Sequence, residues 1–263
     1  MYSMFTLRLK DKGDIYEKDG AVWFKSSEYG DEKDRVVRKA DGDYTYFASD
    51  VAYHYWKKER GFDILIDIWG ADHHGYIARV AAVLAAMGFP GALEVMLGQL
   101  VNLFRDGVAV RMSKRTGEMV TFEELIDEVG ADATRYLMLS RSTDQTIDFD
   151  ITEAKKQDSS NPVYYVQYAH ARICSILKKL ESEGVVYGGE ESWHGQYTFA
   201  EPAELELIRM LEAFPAEIVL SAQKYDPARI NHYVTALAAA FHKFYNTCRL
   251  LGEQPATLQA RLA

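Results

Sequence analysis

The passage Phe62–Met87 constrains this chain most, because its polarity changes twice in quick succession. Ile64, Leu65, Ile66, Ile68 and Trp69 make a short apolar run of the kind that forms a buried strand. Gly70 permits a sharp turn and close backbone approach. Polar Asp72, His73 and His74 follow at the expected strand end. Ile77–Met87 then carries helical apolar spacing, stopped by Gly88 and Pro90. A second apolar segment, Val95–Phe104, comes next. Strand, helix and strand in that order predict a parallel α/β unit, which receives ligands beyond the C-terminal ends of its strands.

The flanking segments read more locally. Residues 1–35 are mixed in polarity and interrupted by Gly13, Gly20 and Gly30; Phe5–Leu9 and Ala21–Lys25 read as short strands. Asp41-Gly42 makes a turn before the aromatic stretch Tyr44–Phe47, and Ser49–Arg60 is helical, ended by Gly61. Arg111-Met112-Ser113-Lys114-Arg115-Thr116-Gly117 is a polar loop. Thr121 with Glu124 three residues on is a capping box for a helix from Phe122 that stops before Gly130. Asp132–Ser140 reads as another helix, followed by a polar connector through Asp150.

The character changes at Asn161, which caps a helix with Pro162 in its first turn. Val163, Val166, His170, Ile173, Leu177 and Leu180 recur at spacings of three and four, predicting one buried face. Leu205–Gln223 supplies another helix containing Pro215. Ile230, Val234, Leu237, Phe241, Phe244, Cys248 and Leu251 repeat the pattern, with Glu181–Pro202 as a long connection. These segments predict a helical bundle.

Composition narrows the function classes. The 263 residues carry a formal net charge of -9, which excludes a uniformly basic coat for nucleic acid but leaves room for local basic patches. Cys174 and Cys248, the only cysteines, sit in apolar helical patterns and read as buried thiols in a reducing compartment. No apolar run of membrane length and no export segment is visible, so a cytoplasmic location without a membrane partner is the expectation.

Four groups of side chains carry candidate chemistry. The cations around Lys114 suit closure over a triphosphate; a solvated basic turn is the alternative. His73 and His74 beside Asp72 lack a third well-spaced ligand, so no metal site is expected there. Tyr46 and Asp50, four residues apart, would share a helical face and suit a guanidinium, unless they are a surface pair or helix cap. Asp43, Asp67 and Asp72 would widen that acidic pocket. Tyr164, Tyr165, Gln167, Tyr168, Arg172, Lys178 and Lys179 mix stacking and phosphate-binding groups suited to RNA; a helix with one packed aromatic face would look the same.

In order, these residues resemble the class I arginyl-tRNA synthetase family over nearly the whole chain. The match runs through Glu28-Tyr29-Gly30-Asp31, Asp34-Arg35-Val36-Val37, Asp41-Gly42, Tyr44–Asp50 and Gly70-Ala71-Asp72-His73-His74-Gly75-Tyr76. It continues in Arg111–Arg115, Gly130–Tyr136, Asp148-Phe149-Asp150 and Asn161–Arg172. The ordered combination is specific, whereas the Arg111–Arg115 loop alone marks only the wider class. The resemblance implies an incomplete Rossmann-like nucleotide-binding α/β domain followed by a helical anticodon-binding bundle. The expected divisions are 1–118 for the catalytic part, 119–158 for a connector contacting the tRNA stem, and 159–263 for the bundle.

By that resemblance, Tyr46 and Asp50 recognise arginine. Gly70, Asp72, His74 and Met112 border ATP or the adenylate, and Lys114, with Arg111 and Ser113, acts on the ATP phosphates. Tyr164, Tyr168, Arg172, Lys178 and Lys179 are the tRNA-binding candidates. ATP with accompanying Mg2+, arginine and tRNA(Arg) are the implied ligands. Arg111 stands where the family usually has lysine, and Ala71 where some relatives have glutamine. No residue matches the family's first His-x-Gly-His-like ATP motif, which implies a chain inactive alone and completed by an N-terminal half. The bundle would also be truncated. A non-catalytic tRNA-binding module is the alternative.

Overall fold

The computed structural model describes residues 9–110, 120–189, 192 and 197–263. They fall into two compact units, Met1–Leu100 and Val101–Ala263.

In the first unit, residues 9–12 are helical, so Leu9 does not belong to the strand expected over Phe5–Leu9. Leu9 is buried in the unit's core, where a helical turn aims it. Strands β1 (Ile15–Lys18), β2 (Ala21–Phe24) and β3 (Arg35–Arg38) form an antiparallel meander. Asp19 and Gly20 both take positive φ at the first hairpin, the backbone that a two-residue turn demands.

Helix α1 spans Tyr46–Glu59 and starts three residues before the expected Ser49. Thr45 is the reason: its side chain accepts the Ala48 N–H at 3.3 Å, capping the first turn. Starting there sends Phe47, Val51 and Tyr55 into a core with Phe24, Val37 and Val83.

Strand β4 (Leu65–Gly70), helix α2 (Ile77–Ala86) and strand β5 (Leu93–Gly98) make the parallel unit, with Leu65 opposite Leu93 and Gly70 opposite Gly98. Two expectations are corrected here. β4 is not buried on both faces: Leu65 and Asp67 point inward, whereas Ile66 and Ile68 are 45% and 73% exposed. An apolar run does not say which alternate side chains are covered, and only one face of this strand is covered among the described residues. Val95–Phe104 is not one segment either, because β5 ends at Gly98 and a new strand begins in the second unit.

That strand, β6 (Val101–Arg105), pairs antiparallel with β7 (Val108–Ala109) and parallel with β8 (Ile147–Asp150). The polar connector expected through Asp150 therefore ends in a strand. Its alternation hides Phe149, 2% exposed, in a core with Leu103, Leu125 and Ile151, while Asp148 accepts from Asn102 at 2.8 Å. Helices α3 (Phe122–Val129) and α4 (Ala131–Met138) adjoin this sheet; Thr121 and Glu124 form the full capping box. A short α5 (Ile151–Ala154) follows β8.

Helices α6 (Pro162–Ser182), α7 (Pro202–Lys224), α8 (Ala228–Thr247) and α9 (Pro255–Leu262) build the bundle, with α8 packed on both α6 and α7. Asn161 caps α6 through the Val163 N–H, and Pro162 lies in its first turn. The α8 stripe is half-buried to buried along its length, Phe244 and Cys248 most deeply.

The expected α6 stripe is corrected. His170, Ile173 and Leu177 are exposed; the buried line runs through Tyr165, Ala169, Arg172, Ile176 and Leu180. Beside Ile176 and Leu180, which join Phe241 and Phe244 in one core, α6 meets α8 through a tyrosine and an arginine against His242, which an aliphatic count does not score. The rotation also leaves Cys174 only half-buried, beside His170 at 3.7 Å, whereas Cys248 is buried as expected. Glu204 and Arg261 tie α9 to α7 at 2.7 Å, both nearly buried, with the Tyr197 hydroxyl donating to Glu204.

Candidate functional site

In the first unit the candidate residues gather around α1 and the end of β4. Tyr46 opens α1 and is 92% exposed, while Asp50 lies one turn later and is half-buried. No hydrogen bond joins them among the described residues. Burial pushes the Asp50 carboxyl above the ordinary carboxylate range. His54 opposes that shift, Asp67 adds to it, and Arg79 and His73 oppose it. The chain thus holds a partly desolvated carboxylate that a cationic ligand would satisfy.

Asp67 does not widen an acidic pocket as expected. It turns into the unit, where His54 lies 2.6 Å from one oxygen and Lys57 donates to the other at 2.7 Å. Burial works against its charge, yet the hydrogen bonds from Lys57 and His54 prevail and hold its carboxyl below the usual range. The sequence shows one acid inside an apolar strand, but only the fold brings it to the histidine and lysine four and seven residues after Asp50.

The segment after β4 is a short 3-10 helix, Ala71–Tyr76, at the C-terminal strand end. Gly70 itself has ordinary extended backbone. The close approach there comes from Asp72, whose carboxylate oxygen stands 2.6 Å from where a Cβ would be. Asp72 and His74 are both exposed, and His73 lies 3.7 Å from Asp72.

A pocket of about 660 Å³ adjoins Tyr46, lined also by Lys39, Asp43, Tyr44, Tyr76 and Arg79. The Arg79 guanidinium lies 4.1 Å from the centre of the Tyr76 ring. Arg35 reaches the same pocket but is held by Asp31 in two hydrogen bonds of 2.7 Å. Reading the sequence placed Asp43 in an acidic pocket but missed Lys39 and Arg79, because separate cations form no local motif. The loop Arg111, Met112, Ser113, Lys114 and Arg115 lies outside the described residues.

In the second unit, three of the five RNA-binding candidates form a column on α6. Tyr164 and Tyr168 stack at 6.1 Å with planes 9° apart. Arg172 lies 4.7 Å from the Tyr168 ring centre and 4.5 Å from that of Tyr245, and donates to the Tyr168 hydroxyl at 2.8 Å. Its other nitrogen meets His242 Nδ1 at 3.3 Å. Burial, then the nearby Arg172 charge, depress the affinity of His242 for a proton. Lys178 and Lys179 are exposed, and their side chains have no ion pair among the described residues. Tyr164 also borders a cleft of about 680 Å³ with Lys155, Lys156, Gln157 and Gln167.

Comparison with known proteins places both units. The model for the class I tRNA synthetase (R) catalytic domain matches residues 3–175, and that for the DALR anticodon-binding domain matches 166–263. The two matches overlap inside α6. The chain is 51% identical over 244 residues to the arginine–tRNA ligase of Anoxybacillus flavithermus, covering 92% of this chain and 43% of that protein. It is 50% identical to that of Syntrophotalea carbinolica, covering 97% and 46%.

An arginyl-tRNA synthetase structure from Campylobacter jejuni superposes with a TM-score of 0.88 at 36% identity, covering 99% of this chain and 57% of that one. The Thermus thermophilus arginyl-tRNA synthetase, at 20% identity and a TM-score of 0.77, shares the fold. The chain spans less than half the length of the curated relatives. With the catalytic-domain model matched over more than half of its residues and the anticodon-binding model over most of the rest, the chain belongs to the class I arginyl-tRNA synthetase family.

Proposed function

We propose that this chain is the part of an arginine–tRNA ligase that grips arginine and tRNA(Arg). In this reading arginine is activated by ATP as arginyl-adenylate and transferred to the tRNA 3′ end only when an N-terminal half is supplied. The observation that carries it is Asp50: a half-buried carboxyl whose affinity for a proton is raised, one turn from exposed Tyr46. Such a group gains most from a ligand that brings both charge and N–H donors, as a guanidinium does.

The remaining roles are those the family resemblance implies. Gly70, Asp72, His74 and Met112 border the adenylate. Lys114, with Arg111 and Ser113, neutralises charge on the ATP phosphates, and Mg2+ accompanies the nucleotide. Residues 1–118 serve catalysis, 119–158 contact the tRNA stem, and 159–263 bind the anticodon arm, all in the cytoplasm. No helix among the described residues is long and apolar enough to cross a membrane.

The test joins this chain with the N-terminal half of the A. flavithermus ligase and measures arginine-dependent exchange of pyrophosphate into ATP in the presence of tRNA(Arg). Activity only in the mixture is expected, and charging by the chain alone would refute its dependence on a second half. Asp50→Ala should raise the arginine KM about tenfold or more, the worth of a hydrogen bond to a charged group. An unchanged KM would remove Asp50 from arginine recognition.

A second reading, a non-catalytic tRNA-binding module, is favoured by the Tyr164, Tyr168 and Arg172 column. It predicts that the purified chain prefers tRNA(Arg) over other tRNAs at fixed salt while no added half restores activity.

A further inference from the structure

The proposed arginine site leaves one buried group without a task. His54 is 4% exposed and sits between α1 and β4. Its Nε2 lies 2.6 Å from Asp67 Oδ2, and its Nδ1 lies 2.7 Å from the main-chain oxygen of Asp50. Both atoms facing the ring are acceptors with no hydrogen to give. One is an amide carbonyl. The other is a carboxylate that Lys57 also binds at 2.7 Å and keeps ionised.

We infer that His54 acts as a positioning residue for Asp50, its two ring nitrogens tethering the main chain at Asp50 to Asp67 on β4. The geometry supplies two separate effects. The Nδ1–H bond fixes the helix where the Asp50 side chain leaves it. The ring, one turn away, favours an ionised Asp50, together with Arg79 from α2 and His73 from the 3-10 helix, and against Asp67 from β4. The tether keeps Asp50 aimed, and these charges offset part of what burial does to its carboxyl. The consequence for arginine binding rests on the role proposed for Asp50 above.

The decisive experiment needs no activity. Carbon-detected titration of the Asp50 carboxyl should have its midpoint at higher pH in His54→Gln than in the unmodified chain, because the tether and its electrostatic support are gone. An unmoved midpoint overturns the inference.

If His54→Gln does not fold, Asp67→Asn tests the same point while keeping the shape. It weakens the contact that ties the ring to β4, so the arginine KM of the complemented enzyme should rise, and an unchanged KM refutes the tether. In the complemented enzyme, His54→Gln should raise the arginine KM about fivefold to tenfold with a much smaller change in the ATP KM. If Asp50→Ala raises that KM and His54→Gln does not, the positioning role fails and the Asp50 reading survives. If neither raises it, the arginine reading fails while the Asp50 titration judges the link between His54 and Asp50 on its own.

Discussion

Each compact unit buries a histidine, and the two are buried in opposite company. His54 in the α/β unit has an acceptor at each ring nitrogen and a lysine sharing one of those acceptors. His242 in the helical unit has Arg172 donating to Nδ1, tyrosine rings on its faces, and an Nε2 with no partner among the described residues. The first ring meets two acceptors, whereas burial and the Arg172 charge disfavour a proton on the second. Burial is similar, 4% against 9% exposed, so desolvation does not separate them. What separates them is whether the surrounding atoms give or take hydrogen. A strand-and-helix seam can put a carboxylate opposite a helix side chain at hydrogen-bond range. A helix pair packed through aromatic rings holds its polar atoms to a few edges.

The largest effect expected from breaking this contrast is Asp67→Ala. It leaves the Lys57 charge and the His54 ring without their shared partner, a loss of about 3–5 kcal/mol for breaking a buried pair. Lys57 is 17% exposed along its side chain and can reach water, which favours the lower end. Urea unfolding followed by tryptophan fluorescence would measure it, since Trp69 lies on the same strand. A change below about 1 kcal/mol would mean that the contacts of Asp67 are easily replaced and that the two histidines are not opposites.

A smaller effect is expected on the helical side. His242→Phe keeps the ring packing and removes one acceptor from Arg172, for about 1 kcal/mol. It should also change the acid limb of stability. The folded-state affinity of His242 for a proton is depressed, so its contribution is present above the ordinary histidine value and is lost as pH falls below it. Unfolding midpoints taken downward from pH 7 should therefore drop for the unmodified chain and flatten for His242→Phe. Parallel curves would place the acid sensitivity elsewhere.

The same contrast explains what could be read in advance. Short-range signals held: Thr121 with Glu124, Asn161 with Pro162, and the strand–helix–strand order around Gly70 each depend on neighbours along the chain. Signals that depend on a partner element did not. Ser49 looked like a helix start because Thr45 lies among aromatics that read as extended. The α6 stripe was placed on Ile173 and Leu177 because aliphatic side chains were counted, whereas the buried line includes Tyr165 and Arg172. At the site, Tyr46 and Asp50 were legible as an i, i+4 pair. The destination of Asp67 was not, since only the fold shows that it meets His54 and Lys57 rather than open space.

Glu128 offers the sharpest control on the comparison, with the smallest expected effect. Like Asp67 it takes two partners: Arg105 in a two-pronged contact of 2.7 and 2.8 Å, and Lys155 at 3.2 Å. Arg105, and then Lys155, bring its carboxyl down to about 2. Unlike Asp67, this group stands in water, with 45% of the Arg105 side chain and 49% of that of Lys155 exposed. Solvent screens the attraction, and ordering two long side chains offsets much of what remains. Because the folded value is depressed, whatever it contributes is present above the ordinary glutamate value and fades as pH falls toward 2. Glu128→Gln should therefore shift the urea midpoint at pH 7 by roughly a quarter or less of the Asp67→Ala shift, and 0.5 M salt should erase most of it. A shift as large as that of Asp67→Ala would show that the number of partners around a carboxylate, rather than its separation from water, sets its worth; the difference drawn between the two units would then lose its physical basis.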